Sequence, residues 1–246
     1  MRRKVKYIII FSLFILGGFF STAGGTIIAD GIITGDTVWT NSDIIEITAE
    51  VEVTSTGHLT IEPGTTIRIA LLGEINVYGL LTAIGSETDR ILFTAMADTV
   101  NGSPGPAGIW YGVSAWEGGR LEMSYCDIRY ALSAVSITQG SGDFSNCIAE
   151  NFLGYGFLID GINSIPRIEV NINSCRIIQT NPSMMKKAIG IYTLRSANVS
   201  VANTEVSDCQ LGIKIYSNNT SSPLYSIKRS EISHNDSLGI NVIGTG

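Results

Sequence analysis

Apolar and polar residues alternate along the chain in short runs, and no window longer than a few residues keeps the 3.6-residue period of a helix. β-branched residues occupy every second position of many runs, which is typical of half-buried strands. The first clear runs lie at residues 59–61, 67–69, 75–77, 81–83 and 91–93, with glycines between them. Sandwiches and barrels use strands of about 5–6 residues. Strands this short, with corners this frequent, favour a solenoid whose coils each have several faces.

The second half of the chain repeats one pattern five times. Each repeat starts with an apolar residue, has Cys or a small polar residue at its fourth position, and later opens a second strand with Gly or Ala. The repeats start at Met123, Phe144, Ile172, Val201 and Ile227, and their second strands start at Ala134, Gly156, Gly190, Gly212 and Gly239. Equivalent residues of stacked coils lie about 4.8 Å apart, so each apolar position predicts a continuous internal stack. Glycine is expected to supply the unusual φ angles at the corners.

Three of the four cysteines, Cys126, Cys147 and Cys175, share the fourth position of the repeat. This shared position predicts a structural column of small, buried side chains. Neighbouring Cα atoms of such a column are close enough for a disulfide, but side chains that point the same way would strain the bond, so free thiols are favoured. Cys209 is out of register, and the spacing of the cysteines has no zinc signature.

Three stretches of the sequence resemble a known group of proteins. The stretches GHLTIEPGTTIRI (57–69), GEINVYGLLTAIGSETDRILFTA (73–95) and GIWYGVSAWEGGRLEMSYCDIRYALSAVSI (108–137) are similar to the coils of bacterial exported right-handed β-helix proteins of the pectin-lyase-like superfamily. The resemblance covers roughly residues 44–243. It implies an all-β fold, a single-stranded right-handed parallel β-helix solenoid. For activity it is unspecific, because the superfamily includes polysaccharide lyases, glycoside hydrolases, adhesins and structural surface proteins.

Motifs for catalysis are weak. Lyases of this fold need carboxylates that bind Ca²⁺ and a base, and hydrolases need two or three converging carboxylates. Asn203-Thr204-Glu205 is a partial match to the Asn-Thr-Asp motif of related pectinases, Gly57-His58-Leu59 lacks the last glycine of Gly-His-Gly, and no Asp-Asp pair exists. No catalytic residue, cofactor or metal ligand is therefore predicted. The leading hypothesis is a non-catalytic structural or binding module, carbohydrate-binding or adhesin-like. The alternative is a polysaccharide lyase or glycoside hydrolase acting on acidic polysaccharide.

Three aromatic residues that are close in sequence, Trp110, Tyr111 and Trp116, are candidates for stacking on sugar rings. Packing in the core or against a loop is the stronger expectation for them. The histidines His58 and His234 lie in different repeats and are expected at the surface or at corners, not as a metal pair. Carboxylates expected to face outward and solvate the solenoid are Asp127, Asp143, Glu150, Asp160 and Asp208.

The N-terminal residues have the layout of a secretory signal peptide: a basic start, an apolar run at residues 8–20 and small residues at 21–23. The run is shorter than the ~20 residues needed to span a bilayer, although an uncleaved anchor is the alternative. We predict cleavage after Ala23 and export, with the protein secreted, periplasmic or at the cell surface. The predicted organisation is a signal peptide (1–23), an N-terminal lead into the first coil (24–43) and the β-helix (44–246).

The net charge is −6, and loss of four positive charges with the signal peptide would make the mature chain −10. An acidic exported protein is a poor candidate for binding nucleic acid, so a polysaccharide or another cell-surface component is the expected partner. No capping helix or charged terminal strand follows the last repeat. Solenoids need such a cap, so the sequence predicts either a fragment of a longer protein or an end-to-end contact through an uncapped C-terminal coil.

The signal peptide generates the first test. When the full chain is expressed with an export pathway, the exported protein should begin at Gly24. N-terminal sequencing or intact mass would measure this directly. A membrane-bound product that still contains residues 1–23 would instead support the uncleaved anchor.

Overall fold

The computed structural model describes residues 25–98, 110–162, 167–180, 187–217 and 224–244. Within these ranges the chain forms 26 strands, arranged in three parallel sheets that we name A, B and C. No helix in the described ranges is long and apolar enough to cross a membrane.

Sheet A contains β1 (Thr26–Ile28), β4 (Ile44–Ile47), β7 (Thr66–Ile69), β10 (Ile91–Ala95), β13 (Cys126–Arg129), β16 (Ile148–Glu150), β19 (Arg176–Ile178), β22 (Glu205–Ser207) and β25 (Glu231–Ser233). Sheet B contains β2 (Gly31–Ile33), β5 (Glu50–Val53), β8 (Glu74–Val77), β11 (Gly112–Ala115), β14 (Ser133–Thr138), β17 (Tyr155–Asp160), β20 (Ile189–Leu194), β23 (Leu211–Ser217) and β26 (Leu238–Gly244). Sheet C contains β3 (Asp36–Trp39), β6 (His58–Ile61), β9 (Leu80–Ile84), β12 (Arg120–Ser124), β15 (Ser141–Ser145), β18 (Ile168–Asn173), β21 (Ala197–Ala202) and β24 (Tyr225–Lys228).

The chain visits sheets A, B and C in turn, so three successive strands make one coil, numbered here from 1 (β1–β3) to 9 (β25 and β26). Every strand pairs in parallel with its equivalents in the next coils. This is a parallel β-helix, as predicted. The predicted register is also confirmed. The repeat starts align as Met123, Phe144, Ile172, Val201 and Ile227, and the second strands align as Val135, Phe157, Ile191, Ile213 and Ile240.

The core is a set of apolar ladders inside the solenoid. On sheet A one inward ladder runs through Ile45, Ile67, Phe93, Ile128, Ala149, Ile177 and Val206, and all of these are buried. Burial of one large aliphatic side chain stabilises the fold by about 1.5–3 kcal/mol. Because no coil closes its own core, this energy is gained only when a coil stacks on its neighbours.

The stack begins earlier than the sequence predicts. Residues 26–39, assigned above to a lead, already form coil 1 and pair with coil 2 in all three sheets. Each of these strands has few inward apolar residues, chiefly Ile27, Ile33 and Trp39. One such residue per strand is too little to form a visible alternation, which is why the pattern does not reveal this coil.

The corner from sheet C to sheet A differs from expectation, because residues other than glycine adopt the left-handed conformation there. The equivalent residues Tyr125, Asn146, Ser174, Asn203 and Arg229 have φ between 48° and 54°. The amides of the first four donate to the next coil, for example Ser174 N to Ala202 O at 2.9 Å, which offsets the cost of the strained φ. Glycine is instead required where a Cβ has no room. At Gly119 a Cβ would lie 2.0 Å from Val77 O.

The predicted cysteine column follows directly after this corner. Cys126, Cys147 and Cys175 are stacked in register, buried and free, and Thr204 and Ser230 continue the column. Each of the five side chains donates to the carbonyl two residues earlier, with distances of 2.8–3.5 Å. Burial raises the pKa of the Cys126 thiol well above its ordinary value. The position therefore favours a small side chain that can donate a hydrogen bond, which explains why it is occupied by Cys, Thr or Ser in these five coils.

The column generates a stability test at the buried Thr204. Its hydroxyl donates to Ala202 O at 2.8 Å and accepts from Cys175 N at 3.3 Å. Thr204→Val removes both bonds without changing the shape and should cost about 2 kcal/mol. Thr204→Ser keeps both bonds and loses one methyl group, a cost of about 0.8 kcal/mol. Urea unfolding measures the ranking, and a Val variant as stable as the Ser variant would contradict the role of the donor.

Candidate functional site

The outer face of sheet A carries paired charges. Asp127 is 8 % exposed and forms ion pairs with Arg90 at 2.7 Å and Arg129 at 3.4 Å, and Arg129 also lies 3.7 Å from Glu150. Arg90 additionally donates to Asn146 O at 2.8 Å, which ties neighbouring coils together. Asp127 and Glu150 were expected only to solvate the surface. They instead take part in a network of ion pairs that joins neighbouring coils.

The residues that partly match a pectinase motif are structural. Thr204 belongs to the donor column, and Glu205 on sheet A pairs with Arg176 at 2.9 Å. The hydrogen bond from Arg176 holds the pKa of Glu205 below its usual range, so this carboxylate is a poor general acid or base near neutral pH. His58 lies on sheet C, six coils away, where it contacts Thr82 at 3.1 Å. His234 occupies a corner with φ of 54°, as expected.

The outer face of sheet C has a shallow groove of about 370 Å³ beside Glu122 and Asp143. Arg120 donates to Glu122 at 2.8 Å and also to Asp143, while Asn171 donates to Asp143 at 2.7 Å. Ser124, Ser145 and Asn173 complete much of the lining. The carboxylates of this groove therefore share one arginine of the protein itself, and Asp143 accepts a further hydrogen bond from Asn171.

Sheet B is different in coils 2 and 3, where Glu50, Glu52 and Glu74 lie on its outer face. Glu50 and Glu74 are directly in register, and Glu52 aligns with Asn76. Strands β2, β5, β8, β11 and β14 contain no Lys or Arg. Across the described ranges, none of these three carboxylates has a salt bridge. They form an acidic patch on the outer face of sheet B.

Trp116 lies over the same part of sheet B. Its indole nitrogen donates to Asn76 Oδ1 at 2.7 Å, and Asn76 Nδ2 donates to Glu50 at 2.9 Å. Asn76 occupies an outward position between Ile75 and Val77 but is only 6 % exposed, because neighbouring side chains and the indole cover it. The indole itself remains 37 % exposed. The face thus has an aromatic platform held by two hydrogen bonds.

The other two candidate aromatic residues, Trp110 and Tyr111, differ in their exposure to solvent. Trp110 is 1 % exposed and donates to Arg129 O at 2.8 Å. It anchors the junction of sheets A and B and cannot face a ligand, which corrects its candidacy. Tyr111 is 42 % exposed and stands at the start of β11, whereas Trp116 follows its end. Two exposed aromatic residues therefore bracket one strand of sheet B.

Further along the axis sheet B carries aromatic residues that sequence reasoning missed. The rings of Tyr155 and Tyr192 lie 5.6 Å apart on coils 6 and 7, and Lys214 Nζ lies 4.7 Å from the centre of the Tyr192 ring. Asp160 beside them is paired with Arg195. Both tyrosines occupy outward positions of the second strands, and these positions do not repeat in residue type as the inward apolar positions do.

We name the outer face of sheet B from Glu50 to Lys214 the B-face. It combines unpaired carboxylates, an anchored indole and several tyrosines on a flat surface. In the described ranges no three His, Cys, Asp or Glu side chains are close enough together to hold a metal ion. The B-face offers aromatic rings for stacking and carboxylate and amide oxygens for hydrogen bonding.

Comparison with known proteins gives a family and no relative. The family model described as the right-handed beta helix region matches residues 111–246, more than half of the chain. No curated protein matches. No solved structure matches.

The anchoring of Trp116 generates a spectroscopic test. The three tryptophans of the chain are Trp39, Trp110 and Trp116, and the first two are buried. Acrylamide quenching of the fluorescence therefore reports mainly on Trp116. Asn76→Ala removes the acceptor of the indole and should raise the quenching constant, while Asn171→Ala on sheet C is the matched control. Equal quenching in both variants and the wild type would show that Asn76 does not hold the indole.

Proposed function

Because the chain belongs to the right-handed beta helix family, we propose that it is a non-catalytic, extracytoplasmic binding module that takes up carbohydrate on the B-face. One observation carries the proposal: an indole, 37 % exposed, lies on a flat sheet surface and is fixed there by Asn76. The fixed indole therefore keeps more than a third of its surface available for contact with a ligand.

The physical match is to a sugar ring. A pyranose has an apolar face that packs on an aromatic ring and a rim of hydroxyl groups that donate to carboxylate and amide oxygens. Trp116 supplies the ring, and Glu52 and Glu74 supply acceptors on the adjacent coils. Since the indole is already fixed through Asn76 to Glu50, binding loses little side-chain entropy.

The B-face suits a polymer better than a single sugar. Partly exposed aromatic side chains recur along it from coil 3 to coil 7, at Tyr78, Tyr111, Trp116, Tyr155 and Tyr192. Coils repeat about every 4.8 Å, so these rings line a path parallel to the solenoid axis. An extended glycan would contact several of them at once, and several weak contacts on one chain add to a useful affinity.

The same features argue against the enzymatic alternative. The outward carboxylates of sheets A and C named above are held by arginines, and a lyase or hydrolase of acidic polysaccharide would need a surface that attracts anions. The B-face repels them. We further propose, from the N-terminal sequence and the resemblance described above, that the protein is exported and belongs to the pectin-lyase-like superfamily.

Retention on a panel of insoluble neutral, amino and acidic polysaccharides tests this proposal. The wild type should be retained by one or more glycans, and Trp116→Ala should weaken retention about tenfold, roughly 1.4 kcal/mol. Leu224→Ala is the control, since this leucine is 67 % exposed next to sheet C. Retention that does not depend on Trp116 would contradict the proposal that the B-face binds the carbohydrate. Release of unsaturated or reducing ends by the wild type would favour the enzyme instead.

A further inference from the structure

Three pairs of carboxylates stand in register on neighbouring coils of the described strands: Glu50 with Glu74, Glu122 with Asp143, and Glu205 with Glu231. Like charges directly opposite each other destabilise a sheet. In two of the pairs the protein supplies the counter-charge.

The counter-charges are arginines on adjacent positions. Arg120 binds both Glu122 and Asp143, and Arg176 binds Glu205 at 2.9 Å. Glu50 and Glu74 receive no such partner within the described ranges, and Glu52 adds a third charge one position away. Asn76 donates one neutral hydrogen bond to Glu50, which does not cancel the charge. Among the three in-register pairs of the described strands, Glu50 and Glu74 are therefore the pair in which neither carboxylate is bound by an arginine.

A cationic ligand would remove the repulsion. A metal ion is not the expected cation, because no group of three suitable ligands is found in the described part of the chain. An ammonium group on an organic ligand needs only one or two carboxylates, and it also interacts favourably with the face of an indole. Trp116 lies two hydrogen bonds away from Glu50, so a ring stacked on Trp116 would bring its substituents to the carboxylates.

We infer that the B-face selects a glycan with free amino groups, of the class of glucosamine polymers, through Glu50, Glu52 and Glu74. The inference rests on the proposed function and names its ligand. Trp116 gives affinity for the sugar ring, whereas the three carboxylates give preference for the amine over its acetylated or hydroxyl equivalent. Specificity of this kind is a difference of affinities, so it can be lost while binding remains.

The experiment compares three soluble oligosaccharides of equal length: glucosamine, N-acetylglucosamine and glucose. Titrations are made by calorimetry at mildly acidic pH, where the amine is protonated and carboxylates are ionised. The wild type should prefer the glucosamine oligomer about tenfold, since each exposed ion pair adds a few tenths to one kcal/mol. The preference should decrease with added salt.

The decisive variant is Glu52→Gln with Glu74→Gln, which keeps Glu50 in place to hold Asn76. It should bring the three oligosaccharides to within about twofold of each other, because no charge remains at these two positions to favour the amine. Glu62→Gln with Glu231→Gln removes the same charge at two exposed positions outside the B-face and should keep the preference. Thermal unfolding confirms that all variants are folded.

The outcomes separate the two claims. If Trp116→Ala abolishes binding but the Glu52/Glu74 variant keeps its preference, the inference is wrong and the proposed function stands. If no oligosaccharide binds, both are wrong. If polylysine displaces the glucosamine oligomer and Trp116→Ala changes nothing, the face attracts cations without recognising sugar, and the inference is overturned.

Discussion

In-register parallel stacking is the constraint on which everything else in this molecule depends. Each residue lies about 4.8 Å above its equivalent in the previous coil, so any choice at one position is repeated along the axis. Inside the solenoid the repetition is favourable, because apolar side chains such as Ile45, Ile67 and Phe93 form unbroken ladders. The repetition also affects the position that follows the left-handed corner residue. Successive coils place a small hydrogen-bond donor there, as Cys126 and Thr204 illustrate.

Outside the solenoid the same repetition is costly for charges. Carboxylates that stack in register repel each other, and in sheets A and C an arginine, Arg176 or Arg120, binds at least one member of each such pair. Sheet B leaves Glu50 and Glu74 without a partner beside the anchored Trp116. The acidic patch beside Trp116 therefore differs locally from the other two faces of the solenoid.

The interior could be predicted from the sequence because residues that stack on each other recur at the same position of each sequence repeat. The starts of the repeats, the second strands and the cysteine column all follow from apolar and small residues at fixed positions. The left-handed corners could not be predicted, because Tyr125 and Ser174 adopt this conformation where a carbonyl group of the next coil accepts their amides. Coil 1 was missed because its strands have so few inward residues.

The candidate site could be predicted only in part. Trp116 and Tyr111 were candidates because they lie close in sequence to each other and to Trp110, but nothing local distinguishes them from the buried Trp110. The pairing of charges is equally hidden, since Arg90 reaches Asp127 across 37 positions of sequence. Whether a carboxylate is neutralised depends on which coil lies above it, and that information exists only once the register is fixed.

A crystal structure of the chain with a short glucosamine oligosaccharide tests the central claim most directly. We predict electron density along the B-face, with a sugar ring against the indole of Trp116 and amino groups directed at Glu52 and Glu74. Density in the groove of sheet C beside Glu122, or a B-face free of ligand at a saturating concentration, would contradict it.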